Sequence, residues 1–126
     1  PEHDHLHNQL GRMLRKSGQL DQAIQHLTEA IHLNPSYIDP YLELAAVHID
    51  RRQYQDALTV YQKLLEIVPD NASAYYHSGL VYKECKDYEN AEKMFRQAAK
   101  AAPADLTIQR QLGAVIALNL VHNPKP

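Results

Sequence analysis

Three histidines at alternate positions, His3, His5 and His7, form the densest set of metal-ligating side chains in the chain. A zinc site is normally built from three or four nitrogen, sulfur or oxygen ligands. On a helix only His3 and His7 share a face, and two imidazoles make a poor zinc site, so no metal is expected there. Cys85 is the sole cysteine, with Lys83 and Lys86 near it to favour the thiolate, but a spectator thiol is the better reading. His77 could tune binding between about pH 5 and 8, although an exposed histidine without a task is the plainer account. The chain has no glycine-rich phosphate loop, no nucleophile elbow and no paired metal-ligand motif. Neither an enzymatic activity nor a cofactor is expected.

The composition narrows the classes further. The 126 residues include 44% hydrophobic and 22% charged side chains, a globular rather than disordered balance. A formal net charge of -2 lacks the basic footprint of a general nucleic-acid binder, so no nucleic-acid partner is expected. No apolar stretch reaches the length of about 18 residues that membrane insertion requires. The most apolar run, Leu112 to Val121, contains Gly113 and Asn119. A lone cysteine permits no internal disulfide and fits a reducing, cytoplasmic setting. No secretory signal is visible, and the chain opens at Pro1 without an initiator methionine. It is therefore expected to be a piece of a longer protein, from which a targeting segment could be missing.

The elements that must hold these side chains show in the punctuation. Pro35, Pro69 and Pro103 recur every 34 residues, and so do Ala23, Ala57 and Ala91. Gly11, Ala45, Gly79 and Gly113 make a third series, and Leu10, Leu44 and Leu112 a fourth, with Ser78 in its remaining slot. Independent series sharing one period mark an array of small stacked units. Each unit reads as two helices. In the second, Pro40 suits a first helical turn, and Tyr41, Leu44, Ala45 and His48 recur at helical spacing. Arg51, Arg52 and Gln53 then mark a turn, Ala57, Tyr61, Leu64 and Leu65 carry a second run, and Pro69 ends it. Asn71 and Asp105 are placed to cap the helices that follow them. The spacing predicts helices over about 4–17, 21–33, 39–51, 54–67, 72–85, 88–101 and 105–121. No alternation long enough for a strand occurs. The short turns make each pair antiparallel. Two helices approach closely only where a side chain is reduced to hydrogen or methyl, which accounts for Gly11 with Ala23, Ala45 with Ala57 and Gly79 with Ala91. Leu27, Tyr61 and Phe95 are expected to fill the space beside them.

This pattern resembles the tetratricopeptide repeat, whose signature is an aromatic, Leu-Gly, an aromatic, then Ala, Phe and Pro. Tyr75, Gly79, Tyr82, Ala91, Phe95 and Pro103 match, with Ser78 in place of Leu. Tyr41, Leu44, Ala57, Tyr61 and Pro69 match, with Ala45 for Gly and His48, read as a satisfied boundary histidine, for the aromatic. His7, Leu10, Gly11, Leu14, Ala23, Leu27 and Pro35 match with the aromatics replaced, and Gln109, Leu112, Gly113 and Ile116 look like the first helix of a fourth unit without its partner. The resemblance implies an all-α fold, a right-handed superhelical solenoid of antiparallel helix pairs with seven helices. It implies a single domain over 1–126, with repeats at about 4–37, 38–71 and 72–105 and a terminal helix at about 105–121. It also implies that the first helices of successive repeats line a concave groove.

The sequence adds the identity of that lining. Opposite the Leu/Gly face lie Asn8, Arg12 and Arg15, then Leu42, Ala46 and Ile49, then Tyr76, Leu80 and Lys83, then Arg110, Ala114 and Ala117. Each set is spaced to share one helical stripe. Leu42, Ile49, Tyr76 and Leu80 are not demanded by the repeat, and they serve either as an apolar interaction surface or as packing against neighbouring first helices. Arg12, Arg15 and Lys16 make one end basic, while Asp39, Glu43, Asp50 and Glu84 form an acidic fringe. The sharp reading is a ligand with an apolar anchor and an acidic end; the plain one is a solvated face. Chaperone adaptors of this family hold a carboxyl terminus in a two-carboxylate clamp of lysines, asparagines and an arginine. At the matching positions here, Asn8, Arg12, Glu43, Ser73 and His77, no residue is the type expected at its own place, and Glu43 would repel a carboxylate.

Leu106, Ile108, Leu112, Val115, Ile116, Leu118, Leu120 and Val121 make the last helix apolar on most faces, whereas a terminal cap has a polar outer face. Either further repeats follow Pro126 in the parent protein, or the segment Leu112 to Val121 pairs with a second copy. The expected function is a non-enzymatic scaffold that binds a protein or peptide segment in the groove. The alternatives are a substrate-selecting repeat region of a larger enzyme and a homo-oligomerisation module acting through the last helix.

Overall fold

A helix begins most readily where a side chain satisfies its first N–H groups. Asn71 accepts from the Ala74 N–H at 2.8 Å, and Asp105 accepts from Thr107 and Ile108 at 2.9 and 3.3 Å. Asp87 does the same for the Asn90 N–H at 3.2 Å. The computed structural model describes residues 3–124. Its helices are α1 (His3–Lys16), α2 (Leu20–Leu33), α3 (Asp39–Asp50), α4 (Tyr54–Ile67), α5 (Ala72–Glu84), α6 (Tyr88–Ala101) and α7 (Leu106–His122). Each end lies within a residue of its expected place, and no strand occurs among the described residues. The fold is all-α.

The first helix of each pair stops in one way. Gly18, Arg52 and Lys86 adopt φ values of 82°, 60° and 62°. Their N–H groups bond to Arg15, Ile49 and Lys83, and the next N–H groups reach back to Leu14, His48 and Tyr82. This Schellman arrangement satisfies the last carbonyls and reverses the chain. Only the first of the three uses glycine, so Arg52 and Lys86 each hold a left-handed conformation that costs about 1 kcal/mol. A second recurring bond locks the start of the first helices. The Tyr41 hydroxyl donates to the Pro35 carbonyl at 2.7 Å, and the Tyr75 hydroxyl donates to the Pro69 carbonyl at 3.0 Å. The Gln109 amide reaches the Pro103 carbonyl at 2.6 Å, replacing a tyrosine while keeping its bond.

Helices α1 to α4 form one compact unit ending at Ile67, and α5 to α7 form a second beginning at Val68. In the first, α1 packs on α2, α2 on α3, α3 on α4, and α1 also meets α3. Leu27, Val47, Tyr61 and Leu64 are its largest fully buried apolar side chains. In the second, α6 packs on both α5 and α7 around Ala91, Phe95 and Val115.

The tiny residues have a more specific partner than expected. Ala23 and Ala91 are fully buried, but a Cβ added at Gly11 would lie 2.5 Å from Leu27 Cγ, and one at Gly79 would lie 2.6 Å from Phe95 Cε1. The missing side chain makes room for a bulky one four residues beyond the alanine. At Gly113 a Cβ would meet nothing within 4 Å. Gly11→Ala and Gly79→Ala are therefore expected to destabilise the chain by about 1–3 kcal/mol. Gly113→Ala should stabilise it by about 0.5–1 kcal/mol through helix propensity alone. Urea melts of the three variants check this, and a neutral Gly79→Ala would remove the close-contact account.

Candidate functional site

The first unit presents α1 and α3. The basic end and acidic fringe, expected as separate features, are joined there. Arg12 Nε lies 3.2 Å from Glu43 Oε1, Arg15 Nη1 lies 3.7 Å from Glu43 Oε2, and Arg15 Nε lies 2.8 Å from Asp50 Oδ2. The four charges alternate along a ladder between the helices, so Arg12 and Arg15 are not an unpaired basic end awaiting an acidic ligand. The hydrogen bond to Asp50 is the main cause that raises the pKa of Arg15, against the opposing effect of burial. Leu42, Ala46 and Ile49 stand half-buried on α3 beside this ladder. Asn8 does not line the face. It is 2% exposed, and its amide donates to the Tyr37 hydroxyl at 3.3 Å, which lies 3.0 Å from His5 Nδ1. Tyr61 is buried in this unit's core, and burial pushes its phenol up to about 12, opposed by nearby Arg15.

The second unit presents α5 and α7. Tyr76 tilts against Phe95 at a centroid distance of 5.9 Å and meets His77 edge-on at 5.2 Å. Both Tyr76 and Leu80 pack on the Ala91, Phe95 and Val115 core while remaining partly exposed. Both side chains thus pack against the neighbouring first helix α7, and against α6 as well, while part of each stays at the surface. A charge placed at either position would disturb the core, so such a substitution cannot be taken to spare folding. His77 Nδ1 lies 2.8 Å from the Ser73 carbonyl, the geometry of an Nδ1–H donor, and 3.3 Å from Ser73 Oγ. A hollow of about 250 Å³ lies over Ser73, Tyr76 and His77 of α5 and Asp105, Thr107 and Ile108 at the start of α7. Lys83 Nζ donates to Gln111 Oε1 at 3.0 Å, and Arg110 and Ala114 are exposed on α7.

The remaining reactive side chains are dispersed. His5 meets Tyr37, and His7 meets His26 Nδ1 to Nδ1 at 2.9 Å, while His3 is exposed. Among the described residues no group of three His, Cys, Asp or Glu side chains is arranged to hold a metal ion. His48 is half-buried with Nδ1 3.1 Å from Gln53 Oε1, as suits a boundary histidine. The Cys85 thiol is raised above its ordinary value, by burial first and then by Glu84 and Asp87, so the neighbouring lysines do not draw out a thiolate. Among the described residues no helix is long and apolar enough to cross a membrane. His26 and Tyr37 sit outside every 34-residue series, so periodicity carried no signal for them.

Family models described as tetratricopeptide repeat match residues 14–80 and 72–105. The chain belongs to the tetratricopeptide repeat family. A similar curated relative is the Protein SGT1 homolog of Bos taurus, 32% identical over 87 residues, which covers 68% of this chain and 26% of that protein. Another is the UDP-N-acetylglucosamine--peptide N-acetylglucosaminyltransferase of Giardia intestinalis, 29% identical over 75 residues, covering 60% of this chain and 5% of the relative. The chain thus spans about a quarter or less of these relatives' length. Among solved structures, the first TPR of Spaghetti (RPAP3) bound to HSP90 peptide SRMEEVD superposes with a TM-score of 0.82 at 16% identity, covering 92% of each chain. At that identity the likeness concerns the tetratricopeptide fold.

In this repeat the second-helix aromatic slot is filled by Tyr61, whose hydroxyl is costly to ionise where it lies. Its folded pKa is raised from 10.0 to about 12. The contribution to stability is full below about pH 10 and is lost as pH rises toward 12. Urea melts between those limits should show a smaller loss in Tyr61→Phe than in the unaltered chain. Equal losses would contradict the assignment.

Proposed function

We propose that this tetratricopeptide array is a non-enzymatic scaffold that holds a peptide or protein segment against the first helices of its repeats. The observation that carries the reading is made in each unit by itself: half-buried apolar side chains, Leu42 and Ile49 on α3 of the first and Tyr76 and Leu80 on α5 of the second, stand beside groups that hydrogen-bond or carry charge. Partly exposed apolar surface of this kind favours protein partners, and the hollow over Tyr76 and His77 has the size of one or two side chains rather than of a small-molecule site. The peptide-bound structural neighbour supports the same use of the fold. The paired state of Arg12 and Arg15 argues for a ligand whose anchor is apolar and whose charge is modest. A reducing, cytoplasmic setting belongs to the proposal and rests on Cys85 being the sole cysteine.

Selection from a displayed peptide library tests this. Enriched peptides should carry an aliphatic or aromatic anchor, and Ala114→Arg with Arg110→Glu, both on exposed positions of α7, should weaken them at least tenfold without changing the helical spectrum. No enrichment above background would overturn the proposal. A peptide ending in Glu-Glu-Val-Asp is expected not to bind, because Glu43 occupies a clamp position and its pairing with Arg12 and Arg15 withholds those cations from a carboxylate. Micromolar binding by calorimetry would contradict that.

The relative that is a glycosyltransferase favours a second reading, a substrate-selecting repeat region within a larger enzyme. The exposed side of α7 favours a third, self-association. Leu120 is 57% exposed and Val121 74% exposed, and Gly113 faces open space. Light scattering should then show a concentration-dependent dimer that Leu120→Glu with Val121→Glu abolishes. A monomer at every concentration would exclude this reading.

A further inference from the structure

The contact between His7 on α1 and His26 on α2 has an unusual geometry. The ring centroids are 5.2 Å apart with planes inclined by 29°, yet the two Nδ1 atoms are only 2.9 Å apart. Rings stacked face over face would keep their nitrogens about as far apart as their centroids. A nitrogen gap shorter by roughly a ring radius on each side places the rings end to end, nitrogen toward nitrogen, at the length of a hydrogen bond. Such a contact needs one proton on the line between the two nitrogens: one ring donates and the other accepts. A neutral pair satisfies this, and so does a pair with one added proton, whose bond is then charge-assisted. A pair with two added protons does not, since both nitrogens become donors and two like charges face each other. The bridging proton takes up the one free lone pair of the contact, and no group of three ligands converges there among the described residues.

We propose that His7 and His26 form a proton-bridged latch between α1 and α2, which holds while the pair carries at most one added proton and loosens the first helix when both rings are protonated. The surroundings give little relief to a doubly charged pair. On α1 the groups one turn away are the exposed His3 and the buried Asp4, and Asp4 is committed to the Asn34 amide at 3.0 Å and the His5 N–H at 2.9 Å. On α2 the nearest charged residue at helical spacing is Glu29, which is exposed. From α3, Glu43 and Asp50 are engaged by Arg12 and Arg15, and in the α2–α3 connection Tyr37 is engaged by His5 and Asn8. Neither imidazole therefore bonds a carboxylate. Both rings are half-buried, so solvent screens them incompletely. The latch also sits on the helix that carries Arg12 and Arg15, which ties the position of half the charge ladder to the protonation of the pair.

A double-mutant cycle tests this in the full chain. His7→Gln, His26→Gln and the combined variant keep polar side chains that do not titrate in this range. Urea melts at pH 7.5 and 5.0 compare them with the unaltered chain, and the other histidines contribute equally to all four. Between the two pH values the unaltered chain should lose about tenfold more in its folding equilibrium constant than the combined variant. Hydrogen exchange should place the extra opening at pH 5.0 in α1. An equal pH-dependent loss in the combined variant would overturn the proposal, as would extra exchange confined to helices other than α1 and α2. Should the combined variant fail to fold at pH 7.5, His26→Gln alone carries the same comparison.

Discussion

Two helices of a pair can lie close only where one of them withdraws its side chain, and at Gly11 and Gly79 that withdrawal admits Leu27 and Phe95. Everything else in each unit is arranged around this interlock. It fixes the rotation of α1 against α2 and of α5 against α6, because Leu27 and Phe95 each lie where a Cβ on the facing residue would clash. It also fixes their height, because the glycine and the large residue must meet at one level. A single repeat buries too little surface to fold alone, so the interlock becomes stable only when the next helix covers it, as α3 covers α2 and α7 covers α6.

The turns follow from the same demand. A three-residue connection brings the second helix back at once, and the Schellman geometry at Gly18, Arg52 and Lys86 is a compact way to do so with the last carbonyls satisfied. Arg52 and Lys86 accept a strained backbone that glycine would take freely, and the packing of α3 on α4 and of α5 on α6 offsets that cost. The hydroxyls of Tyr41 and Tyr75 and the amide of Gln109, bonded to proline carbonyls, show that one repeat position serves a hydrogen bond as much as a ring.

On the first unit's face, the ladder of Arg12, Glu43, Arg15 and Asp50 is partly exposed, so each pair adds only about 0–1 kcal/mol. Its larger effect is on the character of the surface. It neutralises charges that would otherwise dominate there and leaves Leu42 and Ile49 as half-buried apolar features beside paired charges. On the second unit's face, Tyr76 and Leu80 belong at once to the core and to the surface, an arrangement that stiffens both side chains.

The helices, their caps at Asn71 and Asp105 and the interlocking series were legible in the sequence because they rest on local rules: a side chain bonding the N–H three residues on, and a period repeated along the chain. Asp87 uses the same local rule but stands outside the named caps. The face opposite the interlock was also legible as a set of positions, since helical spacing alone assigns Leu42, Ile49, Tyr76 and Leu80 to their stripes. Their partners were not. Arg12 meets Glu43 across 31 residues, His5 meets Tyr37 across 32 and His7 meets His26 across 19. No repeat relates those residue types, and each contact depends on helix rotation and on the reach of a flexible side chain. Composition and period determine which elements form and which residues face the core or the solvent. Packing in three dimensions decides which charges cancel, which histidines share a proton, that Asn8 is buried and that Cys85 is held as a thiol, because these depend on distances that one chain position cannot specify for another.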